Sequence, residues 1–239
     1  MNDLIRDRLD DLHDRVEEVI AEVKPRLRGW LHLGTAPLTL AAGIVLIALS
    51  PTAPTRWASA VYASSALLLF SVSAIYHTGR WSPRTHGVLK RFDHANIFLL
   101  IAGTYTPLTL ILLEGRDRTI MLSAVWVSAL LGCLFRIFWV GAPRWLYLGL
   151  YLGLGWAAVL YLGDYIDGAE ALGVGIGTAV LVLAAVGGLL YTVGGVVYGF
   201  QRPDPWPKWF GFHEVFHTFT ILAFVVHYVG VSLATYSLR

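Results

Sequence analysis

Seven apolar runs, each long enough to cross about 30 Å of hydrocarbon, leave this chain little choice but a bundle of membrane-spanning helices. They fall at roughly 30–50, 56–77, 93–113, 119–140, 146–163, 172–200 and 213–233. Lipid tails offer the backbone no hydrogen bonds, so a single span must satisfy its own polar groups as a helix. Composition agrees, with 56% of the 239 residues hydrophobic and 14% charged. No internal repeat, low-complexity tract or separate soluble domain interrupts the pattern. The expected fold is all-α, an integral membrane seven-helix bundle over 29–239, preceded by a cytoplasmic segment over 1–28.

That leading segment has its own character. Ile5, Leu9, Leu12, Val16, Val19/Ile20 and Val23 recur at spacings of three and four, the stripe of a short amphipathic helix. Eight of the 16 acidic residues lie within it, and anionic lipid would repel such a face. A protein surface, such as a second copy of the chain in a homo-oligomer, suits it better; a solvated tail helix suits it equally. Lys24-Pro25-Arg26-Leu27-Arg28 then forms a basic stop. No secretory signal peptide is expected, because Met1 opens a charged segment.

Charge distribution also sets an orientation. With the amino terminus cytoplasmic, 13 of the 18 Lys and Arg fall in inner segments, and Arg56, Arg116, Arg118 and Arg239 fall outside. The remaining one, Arg136, is placed to snorkel from the inner end of span four. The carboxyl terminus is then outside. Six further acidic residues fall in loops, which leaves Asp93 and Glu214 as carboxylates at the ends of spans, where their presence calls for a reason. An excess of Arg over Lys suggests a GC-rich bacterial source and no more; the seven spans make the expected product a multi-pass protein, placed in the bacterial inner (plasma) membrane. Cys133 stands alone, so no intrachain disulfide can form, and it reads as packing.

Other features shape the bundle. Gly149-x-x-x-Gly153 and Gly195-x-x-x-Gly199 read as surfaces for close helix packing. Pro107 removes a donor from span three and should kink it, with nearby threonine hydroxyls satisfying the freed carbonyl. Such a bend can open a cavity.

The chemistry centres on His213-Glu214-Val215-Phe216-His217. Two imidazoles four residues apart share one helical face, about 6 Å from each other, so one metal ion can take both. A zinc ion needs three or four ligands, and no acidic residue follows Glu214. His227, the one later histidine, lies about 15 Å along the same helix from His217. Another helix must therefore supply the third ligand. His77 is the best donor, with Ser73 one turn back on its face and Asp93 able to accept a hydrogen bond from a metal-held water. With the amino terminus inside, His77 ending span two, Asp93 beginning span three and the pair beginning span seven all fall at the cytoplasmic end.

Ser73-x-x-x-His77, Asp93, Ile101-Ala102-Gly103-Thr104-Tyr105-Thr106-Pro107 and His213-x-x-x-His217 together resemble the bacterial hemolysin III branch of the progestin and adipoQ receptor superfamily. The resemblance runs from about Lys24 onward. It implies a seven-helix fold with a cytoplasmic amino terminus, a zinc ion held by His77, His213 and His217, and Ser73 and Asp93 around a zinc-bound water. Ceramidase-like hydrolysis of a lipid amide is the activity it suggests. One departure concerns helix one, where His32 lacks the acidic and amide-bearing pattern common before it, which leaves that helix with no expected role in the site.

Competing readings are also open. His213-Glu214-x-x-His217 matches the pattern of zinc proteases with Glu214 as base, but a further carboxylate ligand on a later helix is missing; Glu214 is expected to face the loop or a neighbouring helix. A non-enzymatic alternative makes the zinc a structural clamp in a receptor or a pore-forming cytolysin. His227 is expected as a satisfied packing residue, with a wet path through the bundle as the lesser alternative, His94 as a residue near the site or interface, and His13 and His86 as solvent-facing. Expected partners are membrane lipid and a lipid substrate; nucleic acid is not expected.

Overall fold

The computed structural model describes residue 25 and residues 27–239, so the expected amphipathic helix over 1–23, its oligomer surface and His13 lie outside the described residues. Within them the chain forms α1 (Trp30–Leu49), α2 (Ala53–Thr78), α3 (Pro83–Leu112), α4 (Gly115–Phe138), α5 (Arg144–Gly155), a 3₁₀ turn (Ala157–Tyr161), α6 (Leu162–Glu170), α7 (Val174–Phe200) and α8 (Phe212–Tyr236). The segments α5, 3₁₀ and α6 run on as one span, so seven helical units are long and apolar enough to cross a membrane. No β-strand forms among the described residues. Large apolar side chains such as Leu38, Phe138, Leu160 and Val174 stay exposed on the outside, the surface that hydrocarbon would cover.

Consecutive helices pack side by side from α1 to α4, α7 packs along α8, and α8 returns to touch α1 and α3. Local chemistry sets the boundaries. Thr52 caps α2 in a reciprocal hydrogen-bond pair with Thr55, and Ser82 caps α3 ahead of Pro83, whose fixed φ suits a first helical position. Gly29, at φ +87°, turns the chain into α1 against the end of α2. A Cβ there would lie 2.7 Å from the His77 Cβ, so only glycine permits both the turn and the approach.

Several expectations change. Span three starts at Pro83, ten residues before Asp93, which therefore sits inside α3 rather than at its beginning. The polar residues Thr85, His86, Lys90 and Arg91 lower the apolar signal there without stopping the helix. α3 is helical on both sides of Pro107. The Thr104 and Thr106 hydroxyls donate to the Leu100 and Ala102 carbonyls, each at 2.8 Å, and not to the Gly103 carbonyl that Pro107 leaves without its usual donor. The fifth span extends to Glu170, so Asp164, Asp167 and Glu170 occupy its final helix instead of a loop.

This fifth span is broken midway. The Tyr105 hydroxyl of α3 mends the break, donating to the Gly155 carbonyl at 2.7 Å and accepting from the Ala158 N–H at 2.9 Å. Irregular backbone at this depth is stable because another helix supplies its partners.

Arg136 does not snorkel. It is 1% exposed; Nη2 donates to His94 Nδ1 at 2.9 Å and the guanidinium lies 4.2 Å over the Tyr147 ring. Partners inside the bundle make the interface unnecessary. Of the two glycine pairs, Gly195 and Gly199 do receive a neighbour, since Leu148 fills the space beside both. Gly149 and Gly153 meet no atom within 4 Å of an added Cβ and face outward, so that pair is not a packing surface within this chain. Cys133 is buried as expected, its thiol donating to the Ala95 carbonyl.

Glu214 joins the start of α8 to the entry of α1. It is fully buried; one carboxylate oxygen accepts from Arg28 Nε and the other from the Gly211 N–H, both at 2.8 Å. The negative charge also suits the N-terminal turn of α8. We predict that Glu214→Ala, leaving Arg28 without its counter-charge, lowers stability by about 2 kcal/mol. Thermal unfolding in detergent, run as a double-mutant cycle with Arg28→Ala, checks it; a coupling energy near zero would show the pair to be incidental.

Candidate metal centre

His213 and His217 present their rings along one face of α8, with centroids 4.6 Å apart. His77, in the last turn of α2, brings its ring to 4.8 Å from His213 and 5.3 Å from His217. One nitrogen from each ring falls within 4.8 Å of the others, so the three can hold a metal ion. Nitrogens bound to one tetrahedral zinc at 2.0–2.1 Å stand about 3.3 Å apart, so small ring rotations complete the fit. His217 Nδ1 is buried with no hydrogen-bond partner among the described residues, an unsatisfied polar atom within the cluster.

Asp93 and Ser73 join them. Asp93 Oδ2 lies 3.8 Å from His77 Nε2, and the Ser73 hydroxyl hydrogen-bonds the Asp93 carboxyl. Ser73 and His77 are both buried, one turn apart on the inner face of α2. All five sequence-nominated residues therefore converge at one end of the bundle. Glu214 does not join them: both of its oxygens are held by Arg28 and Gly211, which removes it as a base for the protease-like reading.

Helix one does take part. His32 is 2% exposed and stacks on His217, with centroids 3.9 Å apart and planes 14° from parallel, while Phe70 meets its other side edge-on. Neither of its ring nitrogens has a hydrogen-bond partner among the described residues. Sequence reasoning misses this residue because the motif before it is absent. The signal available is its place near the inner end of span one, level with His77 and His217 under the same orientation.

The remaining histidines separate clearly. His94 accepts from Arg136 and lines the same cavity as Asp93. His86 is exposed, as expected. His227 is buried, with Nδ1 held by the Ala223 carbonyl at 2.9 Å, in keeping with a packing residue on that side of its ring.

From the metal end an apolar cavity of about 130 Å³ extends into the bundle between α3, α5, α7 and α8. Asp93, His213 and His217 line one end; Leu100, Leu148 and Phe216 line its walls; Tyr191 and His227 line the other. Along α8, His217 and His227 are about 15 Å apart, so the cavity is elongated into the hydrocarbon layer.

Seven membrane-length helices with an imidazole cluster at one end of an apolar cavity define a heptahelical membrane protein with a candidate metal centre. The family follows from comparison. A family profile described as haemolysin-III related matches residues 20–228, and the chain belongs to the haemolysin III family. It is 31% identical over 189 residues to hemolysin-3 of Bacillus cereus, covering 78% of this chain and 80% of that one. It is 30% identical over 187 residues to the hemolysin-3 homolog of Bacillus subtilis, covering 77% and 81%. A more distant similarity, 28% over 184 residues, joins it to progestin and adipoQ receptor-like protein 1 of Caenorhabditis elegans, of which it spans 41%.

Two unpaired buried nitrogens cost His32 about 1–3 kcal/mol each. We therefore expect His32→Phe, which keeps the stack, to leave the metal-free protein as stable or more stable in thermal unfolding. A large drop in melting temperature would show that the imidazole has a partner in solution.

Proposed function

We propose that this chain is a zinc-dependent hydrolase of lipid amides, with its amino terminus cytoplasmic and its site at the cytoplasmic end of the bundle in the bacterial plasma membrane. The observation that carries the reading is the position of the histidine cluster: it lies at one end of an elongated apolar cavity, with a carboxylate beside it. A cavity of that lining takes an acyl chain and leaves the polar bond to be cut at the metal end. The orientation rests on the distribution of Lys and Arg between the two sides.

His77, His213 and His217 are the residues that would hold zinc, three neutral imidazoles of the type zinc favours. Bound there, zinc supplies Lewis acidity and brings the pKa of a coordinated water down to about 7. Asp93 is placed to take the proton of the attacking water as its oxygen bonds to the acyl carbon, and to return it to the departing amine as the C–N bond breaks. Ser73 holds the Asp93 carboxyl in position from the neighbouring turn of α2. The surrounding aromatic rings exclude bulk water, which strengthens each of these polar interactions.

Elemental analysis of detergent-purified protein is expected to give about one zinc per chain, lost in His217→Ala. Asp93→Ala is expected to keep the zinc and lose about 10²- to 10⁴-fold in hydrolysis of a ceramide substrate. Zinc retained with no turnover in the wild type would instead make the ion a structural clamp between α2 and α8. Absence of stoichiometric zinc, even when supplied during purification, would remove both roles; dye release from liposomes then tests the cytolysin reading.

A further inference from the structure

Most polar side chains around the cavity are committed to partners. The Thr104, Thr192 and Thr220 hydroxyls donate to carbonyls one turn back in their own helices, and the Tyr105 and Tyr151 hydroxyls donate to the Gly155 and His94 carbonyls. Uncommitted polar atoms remain at two places. One is the metal end. The other is some 15 Å deeper, where His227 of α8 faces Tyr191 of α7.

The deep pair is built rather than incidental. The His227 ring is 8% exposed and lies in a seat made by Gly187, where even a Cβ would collide with it. Its Nδ1 must donate to the Ala223 carbonyl, which can only accept. In the neutral ring that leaves Nε2 as an acceptor, and no hydrogen-bond partner for it occurs among the described residues. The Tyr191 hydroxyl, on a ring whose centroid is 5.6 Å from that of His227, is buried with no hydrogen-bond partner among the described residues. Both residues line the cavity. An imidazole acceptor and a phenol on facing rings, surrounded by apolar walls, suit a group that both donates and accepts.

We propose that His227 and Tyr191 form a second polar subsite that recognises a hydroxyl carried part-way along a lipid chain whose acyl end lies at the metal centre. The inference rests on the proposed occupation of the cavity by an acyl chain, and adds that the preferred chain is hydroxylated. His227 Nε2 accepts the hydroxyl proton, and the Tyr191 hydroxyl donates to its oxygen. Each otherwise unpaired group is satisfied, and a plain chain leaves both unpaired in hydrocarbon.

Displacement of a fluorescent fatty acid from the full-length, zinc-supplemented protein in detergent tests this. The competitors are stearic acid and hydroxystearic acids substituted next to the carboxyl, mid-chain and at the terminal carbon. The mid-chain hydroxy acid is expected to bind about five- to tenfold more tightly than stearic acid, with smaller gains for the other two. Tyr191→Phe, which keeps the ring and its packing, and His227→Leu should each abolish most of that preference, read as the ratio of the two affinities in the same variant. Equal affinity of stearic and mid-chain hydroxy acids, as when a water already satisfies the pair, overturns the subsite and leaves the lipid reading standing. So does a preference independent of hydroxyl position or one that survives Tyr191→Phe. Failure of every acid to displace the probe removes the lipid reading and the subsite with it.

Discussion

Hydrocarbon accepts no hydrogen bonds, so each polar group carried into the bundle must find its partner within the protein. That demand organises the structure more than any single contact does. Threonines in the spans turn back on their own helices, and Tyr62 and Tyr228 reach across to the Phe224 and Ala42 carbonyls. Arg136 is accommodated between His94 and Tyr147, and Glu214 between Arg28 and the start of α8. Once these are satisfied, the groups left over are informative. Several of them, on His32, His217 and Tyr191, lie at the histidine cluster and along the cavity beside it; others, on Thr39, Ser232 and Thr235, lie elsewhere in the bundle.

The same elements that seal the bundle also shape the site. Gly29 lets α1 approach the last turn of α2, which carries His77 and brings the His32 ring onto His217. Glu214, between the two histidines in sequence, is held by Arg28 and Gly211 and ties α8 to the residues before α1. In this way a single turn of α8 carries both an anchoring carboxylate and two histidines of the metal-competent cluster. The break in the fifth span, stitched by Tyr105, contributes Gly155 and Trp156 to the cavity wall. A continuous helix would place its side chains differently there.

Much of the site is legible in the amino-acid sequence. A four-residue spacing puts His213 and His217 on one face whatever surrounds them, and Ser73 shares a face with His77 by the same rule. The alternation of inner and outer ends places His77, Asp93 and the α8 pair together. Residues outside that rule are harder. Asp93 reads as the start of a helix because polar neighbours mask ten residues of α3 before it. His32 reads as idle because its partner is a ring on another helix, and a stack leaves no trace in spacing. Arg136 reads as bound for the interface because its inward partners come from α3 and α5.

Sequence by itself determined a membrane-embedded all-α bundle of seven spans, and a histidine pair competent for metal. Both follow from properties that act along one chain segment: the length of apolar run that matches a bilayer, and the angular period of a helix. Tertiary structure decided which faces meet. The rotation of each helix about its axis joins His77 to the α8 pair, lays His32 on His217, leaves Gly149 and Gly153 facing outward, and sets Tyr191 opposite His227. In spans apolar on nearly every side, hydropathy scarcely records that rotation; close packing and the pairing of a few polar groups select it.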